Sequence, residues 1–151
     1  MSIADSIKKD HDEFRAMIAK LQKTTVRDSE ERRRTFSTLR RNVFAHFKAE
    51  EGTVLPEMLK VDDLKILAMD LMEEHRALRG LFDGVKATRC DDEMWLSRLT
   101  PVAGLLAIHM GKEENMVIPA APKYFTDAQL DALGRVFETI ETKELGQMVT
   151  A

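Results

Sequence analysis

Apolar residues recur every three or four positions along most of the chain, the spacing that lines up one face of an α-helix. No stretch shows the two-residue alternation of a half-buried strand. Ile7, Phe14, Ile18 and Leu21 predict a first helix from about Ser2. A second follows Asp28, with Glu31 as a capping-box partner, carries Phe36, Leu39, Val43, Phe47 and Val54, and should stop before Pro56. Leu64, Leu67, Leu71, Leu78, Phe82 and Val85 mark a third, starting near Asp62. The fourth should start near Asp91, carry Leu99, Val102, Leu106 and Met116, and end before Pro119. Pro101 inside it predicts a kink or a separate short first segment, because proline lacks a backbone donor. A fifth helix should begin at Thr126, with Gln129 three residues on, and present Leu130, Leu133, Phe137 and Ile140. Short connections between long helices make sequential neighbours antiparallel. The expected architecture is all-α: an up-down-up-down four-helix bundle over about 2–118 and an additional C-terminal helix over about 126–146, in a single domain of 1–151.

The apolar stripes are interrupted in a repeated way. All four histidines lie on the stripes: His11 between Ile7 and Phe14, His75 between Leu71 and Leu78, and His46 and His109 on the second and fourth helices. Four residues after His46 comes Glu50, and four after His109 comes Glu113, so each pair shares an inward face. His46-Phe47-Lys48-Ala49-Glu50-Glu51 leads to Val54-Leu55-Pro56, and His109-Met110-Gly111-Lys112-Glu113-Glu114 leads to Val117-Ile118-Pro119 with matching offsets. His11 and His75 precede them by nearly equal separations. Two copies of one helical hairpin about a pseudo-two-fold axis account for this. From His11 to the turn and back to His46 takes roughly 21 Å and 24 Å at the α-helical rise. All six side chains should therefore meet in one layer of the core.

Composition narrows the function classes. The chain has 151 residues, 44% hydrophobic and 32% charged, and a net charge of −3 with both signs interspersed. Neither nucleic acid nor membrane is predicted as a partner. Arg32-Arg33-Arg34 and Arg40-Arg41 read as a solvated helix face and not as a phosphate patch. Cys90 is the single cysteine, which excludes an internal disulfide and suits a reducing compartment. No apolar leader or spanning run is evident, so a cytoplasmic location is expected.

Two carboxylates buried without partners would cost several kcal/mol each. A lone histidine on an apolar stripe is ordinarily a hydrogen-bonded core residue. Four of them, in register with two duplicated His-x-x-x-Glu pairs, point instead to bound cations at His11, His46, Glu50, His75, His109 and Glu113. Imidazole and carboxylate without thiolate suit iron or manganese and admit zinc or copper.

The combined pattern, from about Ile7 to Pro119, resembles the hemerythrin-like, HHE cation-binding domains. The resemblance implies a four-helix bundle around two non-haem iron ions, with manganese or zinc in second place. It further implies bridging by Glu50 and Glu113, beside an oxo or hydroxo group, with His11 and His46 on one iron and His75 and His109 on the other. Ferritin-like proteins use Glu-x-x-His, and no histidine here has that glutamate. The chain departs from the oxygen-carrying hemerythrins, which place a further histidine one turn from the first on the third helix. Leu71 and Arg79 flank His75 at that spacing. Those carriers also use an aspartate five residues past the last histidine; here Glu113, at four, continues the inward stripe. Glu51, Glu74 and Glu114 read as surface or outer groups around the ligands.

Two imidazoles per metal leave an open position on each side, which suits binding and reaction with a small diatomic molecule or peroxide: O2, H2O2 or NO. A non-enzymatic iron-binding module, acting as sensor, store or donor, is the alternative, and turnover is left open. Gly111 reads as the demand of a close helix neighbour or as room for a ligand. Tyr124 and Trp95 read as packing residues ahead of redox side chains.

Overall fold

The computed structural model describes the backbone of residues 1–150 and the side chains of 1–147; the described residues form helices and no strand. Helix α1 (Ile3–Gln22) starts on Ser2, whose hydroxyl accepts the Asp5 N–H. Before α2 (Ser29–Glu51), a 3-10 turn at Val26–Asp28 carries its own capping box. Thr25 N–H donates to Asp28 at 2.8 Å, so Asp28 does not cap α2 through its side chain, and the expected Asp28–Glu31 box is not formed. The second helix also ends sooner than expected, at Gly52, and a short α3 (Val54–Leu59) takes Pro56 into its first turn. There the missing N–H costs nothing, because first-turn donors have no intrahelical acceptor.

Helix α4 (Asp62–Lys86) begins where the periodicity placed it. Helix α5 (Trp95–Lys112) begins later than Asp91, because the Asp92 carboxylate accepts the Met94 N–H at 2.8 Å and holds a turn. Pro101 lies inside α5 without dividing it. The chain does not stop before Pro119. It passes through a π-helical turn at Glu113–Val117 into α6 (Ile118–Tyr124), with Pro119 in the first turn. Helix α7 (Asp127–Thr150) opens with the Thr126–Gln129 reciprocal cap, at 2.8 and 3.1 Å, and runs past the expected end.

Helices α1, α2, α4 and α5 make the antiparallel bundle, each hairpin packing on itself and meeting the other through α2–α4 and α1–α5. Helix α7 lies along α1 and α2, on one side only. Its approach is close at Gly134, where a Cβ would stand 2.9 Å from the Ile3 nitrogen. The core divides into two apolar clusters. One gathers Phe14, Phe36, Phe47, Phe82, Trp95 and Leu106; the other gathers Ile3, Ile7, Leu55, Leu71, Val117 and Phe137. Along α1 and α4 the sequence passes from the second cluster through a histidine into the first, and along α2 and α5 it passes the opposite way. The polar layer is the boundary between them.

One arginine departs from the solvated face expected of it. Arg32 is 2% exposed and donates to Thr24 Oγ1 at 2.9 Å, to the Thr24 carbonyl at 3.1 Å and to the Cys90 carbonyl at 2.9 Å. Its guanidinium lies 4.8 Å from the Trp95 ring centroid, tying both hairpin turns together. Arg33 pairs with Glu30 and Arg40 with Asp83 at the surface. Among the described residues no helix is long and apolar enough to cross a membrane. Arg32→Ala should lower unfolding free energy by about 2–4 kcal/mol, since buried acceptors lose a charged donor. Arg33→Ala should stay within about 0.5 kcal/mol. Urea denaturation of the two variants checks the contrast.

Candidate metal centre

The six side chains singled out by pattern converge. His11, His46, Glu50, His75, His109 and Glu113 are all 0–1% exposed and occupy the layer between the two clusters. Each imidazole turns its Nε2 inward. Glu113 Oε1 lies 3.1 Å from His11 Nε2 and 3.3 Å from His109 Nε2. Glu50 Oε1 lies 3.3 Å from His46 Nε2, 3.2 Å from His75 Nε2 and 3.9 Å from His109 Nε2. Ligating atoms of His11, His46 and Glu113 fall within 4.8 Å of one another, and so do those of Glu50, His75 and His109. Each half thus holds the two histidines of one hairpin and a carboxylate from the other. Each carboxylate also touches an imidazole of both halves.

What aims the Nε2 atoms inward is a carboxylate on every Nδ1. His11 donates to Glu114 at 2.7 Å, His46 to Asp10 at 2.8 Å, His75 to Glu51 at 2.8 Å and His109 to Glu74 at 2.9 Å. An Nδ1–H held this way leaves Nε2 as a lone-pair donor, the tautomer a cation needs. The arrangement follows the repeat. Glu51 and Glu114 each follow an inward glutamate by one residue, so the helix turns them sideways onto the opposite hairpin. Asp10 and Glu74 each precede a leading histidine and reach back to the trailing histidine of their own hairpin. Arg15 pairs with Glu114 at 2.5 Å, Arg79 with Glu51 at 2.9 Å, and Lys112 with Glu74. Only Asp10 departs from this: its neighbour is Glu141 of α7, with carboxylate oxygens of the two and a His46 ring nitrogen within 4.8 Å of one another.

Aromatic rings wall the layer. Phe47 stacks on His75 with centroids 3.9 Å apart and meets His109 edge-on at 5.5 Å. Phe14 and Phe137 stand edge-on to His46 at 5.3 and 5.4 Å. The π-helical turn begins at Glu113 itself, and such insertions are frequent at functional sites.

The charges in this layer are held by one another. Burial works against a charged His46, yet Glu50 and the Asp10 hydrogen bond raise its pKa to about 10. Burial and the nearby His46 push His11 down to about 4. Burial would raise Glu50, but His46 and its contacts with His109 and His75 hold it well below the carboxylate range. Glu51 is drawn down to about 2 against burial by His75 and Arg79. Even so, His46 Nε2 and both Glu50 carboxylate oxygens have no well-aligned hydrogen-bond partner, despite their short contacts. Buried polar atoms left this way cost about 1–3 kcal/mol each. A cation in each half would engage these atoms, so the donor set fits metal ions.

The sequence profile of the hemerythrin HHE cation-binding domain matches residues 2–121. The chain belongs to that family. Among solved structures it is similar to the crystal structure of a hemerythrin HHE cation-binding domain-containing protein from Mycobacterium kansasii. The TM-score is 0.86 at 22% identity, over 99% of this chain and 91% of that one, which establishes a common fold. No curated protein matches. The hemerythrin HHE profile ends before α7, whereas the structural match takes in nearly the whole chain, that helix included.

Other candidate residues lie elsewhere. Trp95 is buried beneath Arg32, Tyr124 donates to Asp63 at 2.7 Å, and Cys90 joins the far apolar cluster. A Cβ on Gly111 would meet only Asn115 Nδ2, at 3.9 Å, so no helix neighbour demands glycine there. Reading by periodicity passed over Asp10 and Glu141, and put Phe137 on the stripe of the fifth helix without linking it to the site. For Asp10 a signal existed: it precedes His11 as Glu74 precedes His75. Glu141 and Phe137 carry none, since α7 has no counterpart in the repeat.

His46 must surrender its proton to a cation. Its imidazolium stabilises the fold fully below the unfolded value of 6.5, and that contribution is lost as pH rises through about 10. His11, already neutral near pH 7, has no proton to give. His109 is likewise raised against burial by Glu50 and Glu74, so protein stripped by chelation should release protons on taking up divalent cations near neutral pH, with affinity falling as pH falls. Calorimetric titration in buffers of different ionisation enthalpy measures this; uptake without proton release would place the cation elsewhere.

Proposed function

We propose that this chain holds two non-haem iron ions and that the pair binds and reacts with a small oxidant such as O2, peroxide or NO. The observation that carries this reading is the equality of the two halves in imidazole number. Leu71 sits in an apolar cluster and Arg79 turns out to Glu51, so neither position flanking His75 adds a ligand. His11 and His46 would hold one ion, His75 and His109 the other, and Glu50 and Glu113 would span both. A symmetrical pair with room on both ions favours reaction over storage of an intact adduct on one.

Bound iron supplies Lewis acidity and exchangeable electrons at this position. The chain supplies the rest. Asp10, Glu51, Glu74 and Glu114 fix the imidazole tautomers, and Phe14, Phe47 and Phe137 exclude water from the layer. Complete burial of all six ligands argues against a role as an iron donor, which would need ready release.

Metal analysis of protein expressed with iron, together with its visible spectrum, tests metal identity and number. Stopped-flow mixing of the reduced protein with O2, peroxide and NO tests reactivity; an iron spectrum unmoved by all three would sink the oxidant reading. Glu50→Ala and Glu113→Ala should each lower occupancy of both ions together, whereas His11→Ala should weaken one. Loss confined to a single ion in all three variants would contradict bridging.

A further inference from the structure

The repeat sets a second ring of residues against the six ligands. Ile7 and Leu71 stand four residues before His11 and His75, and Val54 and Val117 stand four residues after Glu50 and Glu113. All four are buried and belong to the second apolar cluster, so they form the floor of the layer on that side. Ile7, Val54 and Val117 also line a cavity of about 440 Å³ where α1, α3, α6 and α7 meet. Apart from Ser2, Asp127 and Asp131, every residue lining it is apolar, and the small side chains of Ala4 and Ala121 leave it open. Exposed Pro122, Asp127 and Asp131 mark its mouth; its inner wall is the floor itself. Other approaches to the layer meet obstacles. On the opposite side Phe47 lies flat on His75 and Phe14 stands edge-on to His46. A second cavity, of about 320 Å³ between α1, α2 and α7, is rimmed by Lys9, Glu13 and Glu138 and reaches Asp10, behind the Nδ1 atom of His46. A molecule there meets the back of the imidazole and not its ligating nitrogen.

We infer that small uncharged molecules reach the metal layer through the apolar cavity, passing between Ile7, Val54 and Val117, and that the two valines set the size admitted. This rests on the oxidant reading proposed above. An aliphatic side chain in a packed interior still changes rotamer, whereas a ring stacked on an imidazole moves only by giving up its contacts. A cavity with apolar walls holds water poorly and takes up nonpolar gases. Two carboxylates stand at the mouth, and among the described lining residues there is no lysine or arginine, so anions are disfavoured. The passage therefore selects O2, NO and un-ionised peroxide over anions of similar size.

Crystals pressurised with xenon, together with stopped-flow rates of the reduced, iron-loaded protein with O2, test this. Xenon should sit in the wild-type cavity, against Ile7, Val117 and Leu130. Ala121→Phe fills the cavity; it should lose the xenon and slow the bimolecular reaction about tenfold at unchanged iron content. Val54→Ala widens the passage; it should admit xenon past the floor and speed the reaction about threefold. Thr142→Phe places a ring in the polar cavity between α1, α2 and α7 and should change neither readout. Wild-type crystals with no xenon in the apolar cavity, an O2 rate unmoved in both A121F and V54A, or equal slowing by T142F would overturn the inference. A wild-type iron spectrum that no oxidant moves would sink the oxidant reading instead, and xenon alone would then decide the passage. Density that stays outside the floor even in V54A would overturn it.

Discussion

The structure depends on keeping two carboxylates and four imidazoles in a dry layer without letting them collapse onto each other. A buried carboxylate costs several kcal/mol unless it is compensated. The short contacts of Glu50 and Glu113 with the Nε2 atoms supply part of that compensation. The rest comes from outside the layer, because Asp10, Glu51, Glu74 and Glu114 occupy the Nδ1 side and prevent the rings from turning over. The apolar clusters above and below then hold the helices at the spacing the layer requires. Stability flows from the clusters to the site, since each buried large side chain contributes about 1.5–3 kcal/mol while His46 Nε2 and the Glu50 oxygens stay buried without a hydrogen-bond partner.

The fold and the inward face of the site were legible because both are periodic. Histidine at a stripe position is visible at 3.6-residue spacing, and the repeat makes the coincidence unmistakable. Helix ends were less legible. Pro56 and Pro119 read as stops, yet both lie in first turns, of α3 and α6. The Asp28 carboxylate accepts the Thr25 N–H of the preceding turn, which leaves it unavailable to the start of α2. Arg32 looked like its neighbours Arg33 and Arg34. Its difference lies in what faces it: the Thr24 and Cys90 carbonyls and the Trp95 ring, contributed from two turns far apart in sequence.

The groups around the ligands show where periodicity ends as a guide. A stripe says which residues point inward, and is silent on what packs against the sides of a helix. Asp10 could be recovered from the repeat, but only by asking which residues beside the histidines were duplicated as acids. Glu141 and Phe137 could not, because they reach the site from an element that occurs once. Their partner surface on α1 and α2 also depends on Gly134, whose lack of a side chain lets α7 approach Ile3.

A buried centre built this way is still connected to the surface. Arg15, Arg79 and Lys112 are 43%, 32% and 33% exposed, and each reaches a ligating imidazole through one carboxylate. Charge at the surface is therefore linked to the ligands in two hydrogen-bonded steps. The same ligand set can in this way be tuned by residues that never enter the core. Exact duplication would make that tuning equal in both halves; Ala49, standing in α2 where the other copy has Lys112, and the single copy of α7 let it differ.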